Sequence, residues 1–237
     1  MANLTSEPPP GQALLIGASR GLGYAMAAEF VSRGWGVLGT VRTASGPLER
    51  LKADHPCAVD IETLDLTDHD QIRAVRGRLA GRRFDIVFIN GGVANRSPSD
   101  TFAEVADEEF AHVMTTNVLG VMRAVEAFGD LVRPGGVVGV MSSGQGSIAN
   151  NTNGTNDIYR ASKAALNQAM SSYGARQRNR DCAVVLMAPG WIRTDMGGAN
   201  APLGVEDAMP QVVDVLIEQM DHAGLRFVDR HGQSVPW

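Results

Sequence analysis

Short, predominantly apolar runs, separated by helical stretches, constrain this chain more than any other feature. The runs are "ALLIG" (13–17), "GVLGTV" (36–41), "FDIVFIN" (84–90), "GGVVGVMSS" (135–143) and "AVVLMAPG" (183–190). A strand that is apolar on both faces has to be covered on both faces, which calls for a parallel sheet between two layers of helices. The intervening segments supply those helices: "YAMAAEFVSRG", a stretch near 45–54, "DHDQIRAVRGRLAG" with Asp68 placed to cap it, a long pattern from Asp107 to Val132, and helices starting near Asp157 and Val205. "IETLDL" (61–66) adds another strand, and the tail "LRFVDRHGQSVPW" reads as one short final strand.

The expected fold is therefore α/β: a single Rossmann-type doubly wound parallel sheet with helices on both faces. A chain of 237 residues suits one such domain, 13–237, behind a flexible proline-bearing lead over 1–12. Composition narrows the function. Hydrophobic content of 44% and charged content of 20% are those of a soluble globular protein. A net charge of −5 argues against a nucleic-acid partner, and the basic runs Arg73–Arg83 and Arg176–Arg180 are spaced like solvated helix faces and helix ends. Cys57 and Cys182 have no partner at metal spacing, so neither a disulfide nor a metal site is expected, and a reducing cytoplasm is the simplest setting. The lead has neither the basic nor the apolar region of a signal peptide, and no run approaches the roughly 20 apolar residues of a membrane span.

"LLIGASRGLGYAMA" places Gly17, Gly21 and Gly23 directly after the first strand and at the opening of the first helix. Glycine suits each place. The chain turns sharply, a pyrophosphate approaches bare backbone, and the helix packs tightly on the sheet while its N-terminal N–H groups hold the phosphates. NAD sites carry an acid at the end of the second strand to hold the ribose 2′-hydroxyl. Here that strand ends "GTVRT", with Arg42 and no acid, and Arg20 stands inside the glycine turn. Two guanidinium groups suit a 2′-phosphate, which points to NADPH rather than NADH.

Tyr159 and Lys163, in "NDIYRASKAALN", stand at i and i+4 and so share a helix face. A free phenol, with a pKa near 10, is a poor acid or base at neutral pH, and a neighbouring cation draws it toward the working range. The pair is therefore expected to act as a tuned proton donor.

The spacing G-x-x-x-G-x-G together with Y-x-x-x-K resembles the short-chain dehydrogenase/reductase family, and the likeness runs from Ala13 to Trp237. It implies the catalytic set Asn117, Ser143, Tyr159 and Lys163. Ser143 is the second serine of "MSSG", and the loop from it to Tyr159 is longer than the family's usual one, so Ser142 and Ser147 stay open as alternatives. In that reading Ser143 stabilises the oxyanion and Asn117 holds a water that refills the proton through Lys163. The resemblance also implies cofactor contacts from Ser19 and Leu22 in the glycine turn, Asp65 and Leu66 at the adenine, Asn90 and Gly91 after the fourth strand, and Pro189, Gly190, Ile192 and Thr194 at the nicotinamide. "INGGV" departs from the family's Asn-Asn-Ala-Gly but keeps the first Asn.

"GSIANNTNG", "PGWIRTDMGGANAPL" and "GQSVPW" are similar to the C-factor/sniffer branch of the family's carbonyl reductases. The expected substrate wall is Val93, Ile148, Asn150, Trp191 and Met196. Apolar surface with few charges there suits aldehydes, quinones or uncharged ketones. Asp157, before the tyrosine, reads as a helix cap. Helices 104–132 and 157–180 carry small and apolar residues beyond one stripe, and the family often pairs through them, so a homodimer or homotetramer is expected. Two rivals remain: an NADP(H)-binding regulatory or signalling module with little turnover, and a methyltransferase, which leaves the Tyr/Lys pair without a use.

Overall fold

The computed structural model describes residues 10–43 and 46–237. The expected lead lies outside the described residues as far as Pro9, and so does Ser45 at the start of the expected second helix. Seven parallel strands form one sheet in the order β3-β2-β1-β4-β5-β6-β7. They are β1 Gln12–Ile16, β2 Gly36–Val41, β3 Val59–Thr63, β4 Phe84–Ile89, β5 Val132–Met141, β6 Cys182–Ala188 and β7 Gly224–Asp229. The helices are α1 Gly21–Ser32, α2 Pro47–Asp54, α3 His69–Arg78, α4 Asp107–Met114, α5 Val121–Phe128, α6 Asp157–Gln177 and α7 Val205–Glu218. The sheet is the doubly wound one that the alternating runs call for.

The two-faced apolar strands divide their side chains between two cores. Along β1, Ala13 and Leu15 pack with Met26 and Phe30 of α1 and Met209 and Val212 of α7. Leu14 and Ile16 pack on the other face with Ile72 of α3, Phe128 of α5 and Leu166 and Met170 of α6. The alternation repeats in β6, where Val185 and Met187 join the first core and Val184 and Leu186 the second. Each side chain of this size buried in full contributes about 1.5–3 kcal/mol. Asp68 caps α3 as expected, its carboxylate accepting from the Asp70 and Gln71 N–H groups.

Three elements differ from the sequence reading. β3 begins at Val59 and stops at Thr63, because the Asp65 carboxylate accepts from the Thr67 N–H and hydroxyl and folds 64–67 into a turn. The long helical pattern is interrupted: Thr115–Gly120 forms a π turn between α4 and α5. β5 starts at Val132 rather than 135, with a register irregularity against β4 between Phe84 and Ile86. The tail also does more than end in a strand. After β7 it folds back, with Val228 bridging Ser234 antiparallel and the Ala149 N–H donating to the Trp237 carbonyl oxygen.

Candidate active site

The strand order reverses between β1 and β4, and a crevice opens beyond the carboxyl ends of these strands. The turn after β1 is pinned from both neighbours. The Gly17 N–H donates to Thr40 Oγ1 at 2.9 Å, and the Asn90 carboxamide donates to the Gly17 carbonyl oxygen at 3.0 Å. Thr40 is a pinning residue that sequence reading missed. Gly17 and Gly21 have positive φ, at 89° and 55°, a region open to glycine at no steric cost. A Cβ at Gly21 would meet nothing within 4 Å, whereas one at Gly23 would sit 2.0 Å from the Gly17 carbonyl oxygen. Gly23→Ala is therefore expected to force the turn open and to cost about 1–3 kcal/mol in thermal unfolding, while Gly21→Ala strains only the backbone.

This turn fits a dinucleotide. α1 has no side-chain cap and no acid in its first turn, so its N-terminal N–H groups are left for an anion. Arg42 is exposed at the end of β2, close enough to Asp65 for its charge to help hold that carboxyl below its usual range, behind the larger effect of the Thr67 hydrogen bonds. Arg20, expected at the 2′-phosphate, donates to Asp195 at 2.5 Å, across to the loop after β6. Both partners are largely exposed, so the ion pair is a weak hold. Leu66 is buried, with its tip against Gly91. Ser19 and Leu22 are partly buried in and after the turn.

The four expected catalytic side chains converge beyond β4 and β5. α6 carries Tyr159 and Lys163 on one face, with the Lys163 ammonium 5.6 Å from the Tyr159 ring centroid. Lys163 is buried and donates to the Met141 carbonyl oxygen at 2.9 Å. Burial, with no carboxylate to offset it, brings its pKa down to about 8. Tyr159 is partly exposed, yet burial of its hydroxyl end pushes its pKa up to about 12, while the neighbouring Ser143 hydroxyl pulls the other way. Of these two effects desolvation is the larger.

Ser143 follows β5 and caps the short 3-10 turn Gly144–Gly146, its hydroxyl accepting from the Gln145 N–H at 3.1 Å. The alternatives are engaged elsewhere. Ser142 donates to Asn167 Oδ1 at 2.5 Å, and the buried Ser147 accepts from the Asn150 N–H. Asn117 lies in the π turn, fully buried, and both ends of its carboxamide are in use. Oδ1 accepts the Val93 N–H at 2.8 Å, while Nδ2 donates to the Val93 carbonyl oxygen at 2.7 Å and to Ser162 Oγ at 2.9 Å. The carboxamide clamps the loop after β4 to α6. An added residue per turn cannot be read from apolar spacing, but π turns recur at functional sites.

The expected substrate residues fall into two groups. Ile148, Trp191 and Met196 are exposed at 77%, 58% and 50%, and the Trp191 indole donates to the Gly197 carbonyl oxygen. Val93 is partly buried, its backbone held by Asn117, and Asn150 is exposed on the loop before α6. Pro189 and Ile192 are buried, and Thr194 uses its hydroxyl to accept the Gly197 N–H within its own loop. Gly190 has φ of 96° and approaches Arg230 and Leu203. Asp157 is not the cap expected of it: Asn156 holds the N-cap place in a left-handed conformation, and Asp157 is the first helical residue, where its charge suits the helix N-terminus. No helix among the described residues is long and apolar enough to cross a membrane.

A pinned glycine turn at the switch point of a doubly wound sheet, with a Tyr/Lys face beside it, defines a dinucleotide-binding α/β protein. The family model for short chain dehydrogenases matches residues 12–202, and the chain belongs to that family. A Burkholderia multivorans protein of the short-chain dehydrogenase/reductase class, solved with bound NADP, is 50% identical with a TM-score of 0.95, covering 97% of this chain and 100% of that one. A carbonyl reductase from Pseudomonas aeruginosa in complex with NADP is 34% identical with a TM-score of 0.87, covering 95% and 99%. The C-signal of Myxococcus xanthus is 38% identical over 158 residues, 65% of this chain and 92% of that protein.

Proposed function

We propose that the chain is an NADPH-dependent carbonyl reductase that converts an aldehyde, ketone or quinone to the alcohol. The observation that carries this reading is the convergence of Tyr159, Lys163 and Ser143 beside an uncapped helix N-terminus at the switch point. NADP(H) is the cofactor, in keeping with the bound NADP of the Burkholderia and Pseudomonas structures. The glycine turn and the α1 N-terminus hold its pyrophosphate, and Arg42 grips the 2′-phosphate. When bound, NADPH supplies the hydride.

The chain's own residues do the rest. The Tyr159 hydroxyl, protonated across the neutral range, gives its proton to the substrate's carbonyl oxygen. Ser143 donates a hydrogen bond to that oxygen as charge builds on it. Lys163, anchored to Met141, keeps a positive charge near the phenol and limits the cost of the phenolate left behind. Asn117 holds Val93 and α6 in place around them. The apolar surface of Ile148, Trp191 and Met196 receives the rest of the substrate. Pairing of two or four copies through α4–α5 and α6 belongs to the same proposal, and sedimentation as a monomer at micromolar concentration would contradict it.

The test is oxidation of NADPH and NADH against a panel of aldehydes, ketones and quinones, with Arg42→Asp alongside. NADPH is expected to be strongly preferred, and Arg42→Asp should weaken its binding about 10- to 100-fold, the worth of one charge-assisted contact. An unchanged preference in that variant contradicts the assignment of Arg42. Similarity to C-signal favours a second reading, a regulatory module that binds NADP(H) with little turnover. Binding of NADPH without oxidation by any compound in the panel would support that reading.

A further inference from the structure

Asn167 stands on α6 two turns beyond Tyr159, buried at 3% exposure. Neither the glycine turn nor the Tyr/Lys pair gives it a use. Its carboxamide is nevertheless fully directed: Oδ1 accepts the Ser142 hydroxyl at 2.5 Å, and Nδ2 donates to the Gly146 carbonyl oxygen at 3.2 Å. These two contacts bracket Ser143. Ser142 precedes it, and Gly146 closes the 3-10 turn that Ser143 opens. Ser142 is itself 2% exposed, so the Ser142–Asn167 bond is made away from water, where losing either partner strands a polar group.

Gly146 shows how closely the turn rides on α6. A Cβ there would lie 2.9 Å from Asn167 Nδ2 and 3.0 Å from Lys163 Cβ. One turn back on the same face, Lys163 donates to the Met141 carbonyl oxygen. The backbone from Met141 to Gly146 is thus fastened to the tyrosine-bearing helix at three points, two of them through Asn167. The Ser143 hydroxyl accepts the Gln145 N–H within the turn and neighbours the Tyr159 hydroxyl, so its placement follows that of the turn.

We propose that Asn167 is a positioning residue that fixes the distance and direction of the Ser143 hydroxyl relative to Tyr159. The proposal rests on the catalytic reading of those two residues. Asn167 touches no reacting atom and acts only through the turn it holds. A carboxamide is the group required, because one position must accept from a hydroxyl while the other donates to a carbonyl oxygen. Asn167→Asp keeps the acceptor and loses the donor, and Ser142→Ala removes one contact of the two.

The test combines kinetics with hydrogen exchange on the cofactor-free protein. Asn167→Ala is expected to lower kcat about 10- to 100-fold through misplacement of Ser143, with NADPH affinity and KM held within about threefold. Asn167→Asp and Ser142→Ala should fall between it and the wild type. The Ser143→Ala/Asn167→Ala pair should lose little beyond Ser143→Ala alone, because the second change acts through a group already gone. The kinetic pKa for alcohol oxidation should rise in Asn167→Ala as it does in Ser143→Ala. Exchange at the Gly146 and Ser147 amides, which donate to the Ser143 and Gly144 carbonyl oxygens, should quicken in Asn167→Ala.

Additive losses in the double variant, or a kcat within about twofold of wild type, overturn the proposal. So does unchanged exchange at those amides, which is read without turnover. A wild-type protein that reduces no carbonyl compound defeats the catalytic reading instead, and defeats with it any catalytic role for Asn167, even where exchange shows the turn loosened.

Discussion

Tyr159→Phe is expected to lower kcat for carbonyl reduction by about 10²–10⁴-fold while leaving NADPH bound as tightly as before. The hydroxyl carries the proton that the proposed reduction consumes, and it stays protonated across the neutral range. Ser143 lends a hydrogen bond, and Lys163 is spent on Met141. The ring survives in phenylalanine, so the packing beside Lys163 is kept and the change isolates the proton. Steady-state turnover and quenching of NADPH fluorescence separate the two effects. Loss of both together would mean that Tyr159 serves the architecture, and loss of neither would remove it from the chemistry.

Lys163→Met should abolish most turnover and, against the usual direction of buried substitutions, raise the stability of the cofactor-free chain. Lys163 is held near pKa 8 by burial, against an ordinary 10.5. Charging it at pH 7 inside the fold therefore costs on the order of 3 kcal/mol. Methionine removes that cost but also strands the Met141 carbonyl oxygen, a loss of about 1–2 kcal/mol. A net gain of about 1–2 kcal/mol, or about 2–6 °C in Tm, is expected at neutral pH.

The pH dependence gives the sign independently. Between about pH 8 and 10.5 the unfolded wild-type chain binds more protons at this lysine than the folded one, so wild-type stability climbs across that window. The advantage of Lys163→Met is complete below pH 8 and shrinks as pH rises through the window, reversing near its top where only the lost Met141 bond is left. Tyr159 and Tyr173, both pushed up to about 12, act oppositely and withdraw stability from pH 10 to 12 in both proteins. Melting curves from pH 7 to 10 are the check. A variant less stable than wild type at pH 7 would show that the lysine is not carried as a buried cost.

What could be read from the sequence follows from which interactions are local. β2 and β4 are legible because both faces of each strand are apolar apart from Thr40 and Asp85 and the bounding residues break the pattern. β3 was placed too far along because Leu64 and Leu66 extend the apolar alternation. Only the Asp65–Thr67 turn, beyond the last β2 partner Val41, shows that the ladder has ended. The π turn was invisible for a related reason, since the apolar positions of 107–131 suit an unbroken helix equally well.

The site divides along the same line. Glycines whose backbone is dictated by a turn, and the Tyr/Lys pair on one helix face, declare themselves through spacing. The bonds of Asn117 to Val93 and of Asn167 to Ser142 join residues far apart in the chain, and no pattern within either segment announces them. The direction of the Tyr159 shift was also beyond reach. It depends on how much water the folded site leaves around the hydroxyl, and that burial outweighs the Ser143 hydrogen bond.

The central claim is a direct hydride transfer from NADPH to a carbonyl carbon, with Tyr159 supplying the proton. Incubating the protein with NADPH carrying deuterium at the transferable ring position, together with an aldehyde it reduces, tests this directly by mass spectrometry of the alcohol. The account predicts one deuterium on the carbinol carbon in the wild type and almost no product in Tyr159→Phe. Cofactor that stays bound and unoxidised across the whole carbonyl panel, or alcohol formed without the label, would contradict it.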